Sequence, residues 1–124
     1  MKKIIGSVII FCFLSTATSA QLAHTSWKCT LNLDNPLDAY FNFSSDTLEV
    51  LNAEDSSSLE TMKYSVQDSV LTIQKLFGQS MCDTDSIAKY KFEIKADEMV
   101  LSVVTDDCGD RSHAIDQMKL TRIK

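Results

Sequence analysis

Four cysteines in 124 residues are too few for a disulfide-dense scaffold. Histidine occurs only as His24 and His113. Neither has partners at the spacing that a metal site or a catalytic triad requires. The chain has no Gly-rich phosphate loop, no G-x-S-x-G and no H-E-x-x-H. No cofactor, no metal and no catalytic residue is therefore expected. Twelve Lys and Arg stand against 17 Asp and Glu, a net charge of −5. That balance is the opposite of a nucleic-acid surface, which clusters basic residues. Three Gly and one Pro leave Asp, Asn and Ser to make most turns. There is no internal repeat and no low-complexity linker. The length fits one ordinary domain, and 44% hydrophobic content excludes a disordered chain.

The first twenty residues read as an address. Met1-Lys2-Lys3 is basic, Ile4 to Leu14 is almost unbroken apolar sequence, and Thr18-Ser19-Ala20 is small. This is the layout of a cleaved secretory signal peptide. The apolar run falls short of the ~20 residues that span a bilayer, so a retained anchor is the weaker reading. The expected mature domain, 21–124, has 104 residues. It carries 10 basic and 17 acidic residues, a charge of −7, and keeps Cys29, Cys82 and Cys108. The expected compartment is exported, periplasmic or extracellular, with no integral membrane span after cleavage.

Within that domain apolar and polar residues alternate in short runs, the period of a half-buried strand. Tyr90-Lys91-Phe92-Glu93-Ile94-Lys95 is the clearest case. Eight strands are expected, at 25–33, 38–44, 47–52, 59–66, 69–76, 88–95, 98–105 and 117–124. Most are joined by two to six residues, which favours antiparallel neighbours. Eight such strands can close into an up-and-down barrel, which removes exposed edges. An open sandwich is the alternative. Arg111 to Ile115 is expected to form a helical turn before the last strand. The interior candidates are Trp27, Leu31, Phe41, Phe43, Tyr64, Ile73, Tyr90, Phe92 and Leu101.

Cys82 precedes the 88–95 strand and Cys108 follows the 98–105 strand. If these strands form a hairpin, both cysteines emerge at one end of the sheet, within the ~7 Å Cα separation that a disulfide needs. The Cys82–Cys108 bridge is expected to restrict the unfolded chain by about 3 kcal/mol. Cys29 shares the face of Trp27 by alternation and is expected to be free and buried.

Three features resemble the small exported bacterial lipocalin-like barrels of the calycin type. Thr25-Ser26-Trp27 is similar to their Gly-x-Trp opening, with Thr25 where Gly is usual. The Cys82-Asp83 loop runs into Tyr90-Lys91-Phe92-Glu93-Ile94. Asp106-Asp107-Cys108-Gly109-Asp110-Arg111 leads through Ala114-Ile115 to the last strand. The resemblance implies that Trp27 closes one barrel end beneath a basic residue, Arg122 or, second, Arg111. It implies a non-enzymatic protein that binds a small apolar or amphipathic ligand at the opposite end. Phe41, Phe43, Tyr64, Tyr90 and Phe92 are the candidate ligand-binding residues. Eight-stranded barrels are either filled by side chains or hold one small ligand. A filled barrel acting as an interaction or structural module of the cell envelope is therefore the second reading. The acidic residues Asp83, Asp85, Asp106, Asp107 and Asp110 offer the oxygen ligands of a Ca²⁺ site. They match no EF-hand spacing, and solvated carboxylates are the preferred reading.

Overall fold

The computed structural model describes residues 19–124. The expected leader, except for its last two residues, lies outside the described residues. The elements in chain order are α1 (Ser19–Leu22), β1 (Thr25–Leu31), β2 (Leu37–Phe43), β3 (Thr47–Asn52), β4 (Ser58–Gln67), β5 (Val70–Gly78), β6 (Ile87–Lys95), β7 (Glu98–Asp106), α2 (Gly109–Ile115) and β8 (Lys119–Arg122). Every strand pairs antiparallel with its sequence neighbour, and β8 returns to β1. The sheet is a closed barrel and not a sandwich. The expected helical turn is α2. The last strand is shorter than the 117–124 read from the sequence, because Gln117 takes a left-handed turn (φ 62) between α2 and β8.

Alternation builds the core. Along β6, Ala88, Tyr90 and Phe92 are buried while Lys89, Lys91 and Glu93 are exposed. The inward side chains of all eight strands, with Leu22 of α1, form one apolar cluster. With so little glycine, other residues adopt the left-handed backbone that tight hairpins need. Asp68 (φ 53) and Ser69 (φ 66) are the two central residues of the β4–β5 hairpin. Positive φ at both positions is the type I′ geometry that matches strand twist.

The two barrel ends differ. One carries α1 and the short β2–β3, β4–β5 and β6–β7 turns, and it is sealed. Leu22 and Trp27 are fully buried there. The Trp27 indole N–H donates to Thr25 Oγ1 (2.8 Å), which donates in turn to the Leu22 carbonyl (2.5 Å). The Arg122 guanidinium lies 5.1 Å from the Trp27 ring centroid. The other end carries the longer loops, α2 and the Cys82–Cys108 disulfide, whose Cα atoms are 5.5 Å apart. Cys29 is buried and unbridged.

Candidate functional site

The open end is shaped by bulges that reverse the alternation of a strand. In β5, Leu71, Ile73 and Lys75 are buried. Met62 pairs with Lys75, but Thr61 pairs with Phe77, so Leu76 is an extra residue. The bulge brings Gly78 opposite Glu60. A Cβ on Gly78 would lie 2.7 Å from the Glu60 Cα, and its φ of 152 further restricts the position to glycine. The same device acts in β7, where Val104 is extra between the Lys89–Thr105 and Tyr90–Val103 pairs. Asp106 then pairs with the fully buried Ala88 and turns its carboxylate inward. Bulges recur next to functional sites because they re-aim side chains in this way.

Two charged clusters result. Lys75 and Glu60 form a buried ion pair (3.6 Å). The Lys75 ammonium also donates to the carbonyls of Ser80 (3.0 Å) and Cys82 (2.8 Å). Glu60 accepts from the Ser80 backbone N–H (3.2 Å) and hydroxyl (2.5 Å). Lys75 and Glu60 thus fix the loop that leads to the disulfide. In the second cluster, Arg111 of α2 donates from Nε (3.1 Å) and Nη2 (2.8 Å) to Asp106. Asp106 also accepts from the Tyr90 hydroxyl (2.6 Å) and the Cys108 N–H (2.8 Å). Burial, and then the adjacent carboxylate, raise the Tyr90 phenol well above its ordinary range. The third guanidinium nitrogen, Arg111 Nη1, is buried and has no hydrogen-bond partner.

Between these clusters lies a cavity of about 660 Å³. Its apolar wall includes Leu31, Leu37, Phe41, Val50, Leu59 and Met62. Glu60, Ser80 and Arg111 contribute polar groups. A second hollow of about 790 Å³ is a groove where β1 and β8 diverge, lined by Lys28, Thr30, Asp38, Asp116 and Lys119 among others. Cys29, Ala114, Met118 and Ile123 give it some apolar wall, but less than the mouth cavity has, so the mouth cavity is the better site for a small molecule.

Among the aromatic residues expected to contact a ligand, Phe41 lines the mouth cavity. Phe43 and Tyr64 meet edge to face at 5.1 Å, and the Tyr64 hydroxyl donates to the Ser44 carbonyl in the β2–β3 turn of the sealed end. Tyr90 and Phe92 are buried in the core. Arg122, and not Arg111, covers Trp27. Glu60 and Lys75 were not singled out in the sequence, although each shares the parity of buried neighbours, Met62 with Tyr64 and Leu71 with Ile73. A charged residue at an inward position on two adjacent strands is the signal that marks them.

The disulfide gathers Asp83, Asp85, Asp107 and Asp110 around one shallow surface hollow. Asp85 accepts from Gln74 and Asp107 from the Ile87 N–H. Among the described residues, no group of three His, Cys, Asp or Glu side chains is arranged to hold a metal ion. No described helix is long and apolar enough to cross a membrane. Comparison with protein-family models, curated proteins and solved structures finds no match.

Proposed function

We propose that this chain is an exported lipocalin-like barrel that binds one small apolar or amphipathic molecule at the mouth opposite Trp27 and catalyses no reaction. The mouth cavity carries the reading. Its volume of about 660 Å³ lies within the roughly 300–1,000 Å³ of small-molecule sites, and its walls are apolar with a few convergent polar groups. The Cys82–Cys108 bridge and the signal-like start support an oxidising, exported compartment.

Titration with an environment-sensitive apolar dye tests the reading. The native protein is expected to bind one dye per barrel. Leu59→Trp, which fills the cavity from its wall, is expected to weaken binding at least ten-fold while the β-sheet circular dichroism is retained. Equal binding by the two proteins would place the dye elsewhere and remove the cavity from consideration. The second reading, an interaction module, is favoured by Phe77 and Met81, which are 63% and 84% exposed on the same end of the barrel. Native mass spectrometry of protein purified from its own cells separates the two, as a bound small molecule or as a bound protein.

A further inference from the structure

The unpaired nitrogen of Arg111 indicates what the ligand carries. A buried cationic donor without an acceptor is costly, because its desolvation is not compensated. Arg111 is only 8% exposed. Asp106 occupies Nε and Nη2, so the pair fixes the guanidinium plane and leaves Nη1 without an acceptor. Arg111 lines the mouth cavity, and Nη1 is covered there, so an entering acceptor reaches this nitrogen once the side chains over it give way.

The charge around the cavity decides the kind of acceptor. Arg111 is neutralised by Asp106 at 2.8 Å, and Glu60 by Lys75 at 3.6 Å. The charged groups left on the lining are Asp34 and Asp110, both exposed at the rim. A carboxylate or phosphate would enter against that negative field, whereas an uncharged oxygen would not. An ammonium head would suit the rim but would leave Nη1 without an acceptor.

We propose that the ligand is an uncharged amphipath, an apolar chain ending in a hydroxyl or carbonyl oxygen that accepts a hydrogen bond from Arg111 Nη1. This rests on the cavity reading given above and adds the identity of the head group. The apolar part packs against Leu31, Phe41, Val50 and Met62.

The test varies the ligand and not the protein, because Arg111 also holds the buried Asp106 and its replacement would disturb the fold. Dye displacement is measured with four molecules of equal chain length: a primary alcohol, the fatty acid, the primary amine and the alkane. The alcohol is expected to bind roughly ten-fold or more tightly than the alkane, the difference that a hydrogen bond to a charged donor supplies. It is also expected to exceed the fatty acid, by a margin that shrinks as added salt screens the rim. Nitrogen NMR of the guanidinium groups gives a direct readout, since the mature domain has only Arg111 and Arg122. The alcohol should shift the Arg111 signal and leave that of Arg122, over Trp27 at the other end, unchanged. Tightest binding of the acid or the amine, or parity of alcohol and alkane with no Arg111 shift, would overturn the head-group assignment and leave the cavity reading standing. Failure of the dye and all four molecules to bind would remove both.

Discussion

Cys29 shows how position decides the chemistry of a residue. It is a thiol in a protein that forms disulfides, yet it is 5% exposed, with Sγ 3.7 Å from the Ala39 carbonyl oxygen. Burial, and then the negative charge of Asp38, push its pKa up to about 12. A thiol that stays protonated is a poor nucleophile and acts as a small core side chain. The same shift carries a pH signature. In the unfolded chain Cys29 ionises near its ordinary 9.0, while in the folded chain it keeps its proton to about 12. Between those values the unfolded chain binds fewer protons, so stability falls as pH rises, by up to about 1.4 kcal/mol per pH unit. Below pH 9 the contribution is fully present. Cys29→Ser keeps a donor for Ala39 and removes the titration in this window. Its stability, measured by urea unfolding from pH 8 to 11, is expected to decline less steeply than that of the native protein. Parallel declines would rule out Cys29 as the source. Tyr90 and Tyr64, both raised by burial first, add to the slope only at the alkaline end and do so in both proteins.

The strands and their bulges set the scale at which the site is built. Lys75 and Glu60 face each other because the β5 bulge at Leu76 and the missing side chain of Gly78 make room for the glutamate. Removing one partner leaves the other charged and buried, which typically costs about 3–5 kcal/mol. Lys75→Met is therefore expected to lower unfolding free energy by about that much. Lys75→Met combined with Glu60→Gln should recover most of the loss, because no uncompensated charge then remains. Equal destabilisation of the single and double variants in denaturant titrations would show that packing, and not the ion pair, sets the cost. The same bulges explain which parts of the molecule could be read in advance. Strict alternation, as in Tyr90-Lys91-Phe92-Glu93-Ile94, locates a strand and its inward face from residue types alone. The eight strands, the turn before the last of them and the Cys82–Cys108 pairing follow from that period and from hairpin geometry. A bulge shifts the period by one residue without changing composition. Asp106 therefore read as one more loop carboxylate, and only the register shift at Val104 turns it toward Tyr90 and Arg111. The mouth, where three strands slip register, is the part least visible in the pattern.

Closure of the whole barrel rests on its shortest ladder. The β4–β5 and β6–β7 pairs each run through eight residue pairs, whereas β1 meets β8 at Trp27–Arg122 and Lys28–Thr121, with backbone hydrogen bonds joining Ser26 to Ile123 and Lys124 just past β8. Beyond Lys28 the two strands part, and the groove of about 790 Å³ opens between them. What spans the gap is α2. The Asn32 N–H donates to the Ala114 carbonyl (3.0 Å) and its side-chain amide to the His113 carbonyl (3.3 Å), which ties the helix to the end of β1. The disulfide holds the other side of α2 to the loop after β5. The seam is thus a short hydrogen-bonded ladder reinforced by a cross-linked helix, and local opening should begin where pairing is sparsest. Native-state hydrogen exchange is expected to give the β8 amides lower opening free energies than those of β4 to β6. Reducing the Cys82–Cys108 bridge should lower the global stability by about 3 kcal/mol, the entropy of the loop it closes. It should also hasten exchange in β8 and α2 beyond that global change, because α2 then loses its covalent tie to the loop after β5. Uniform acceleration across all eight strands would mean that the bridge acts on the unfolded chain alone and that α2 does not hold the seam.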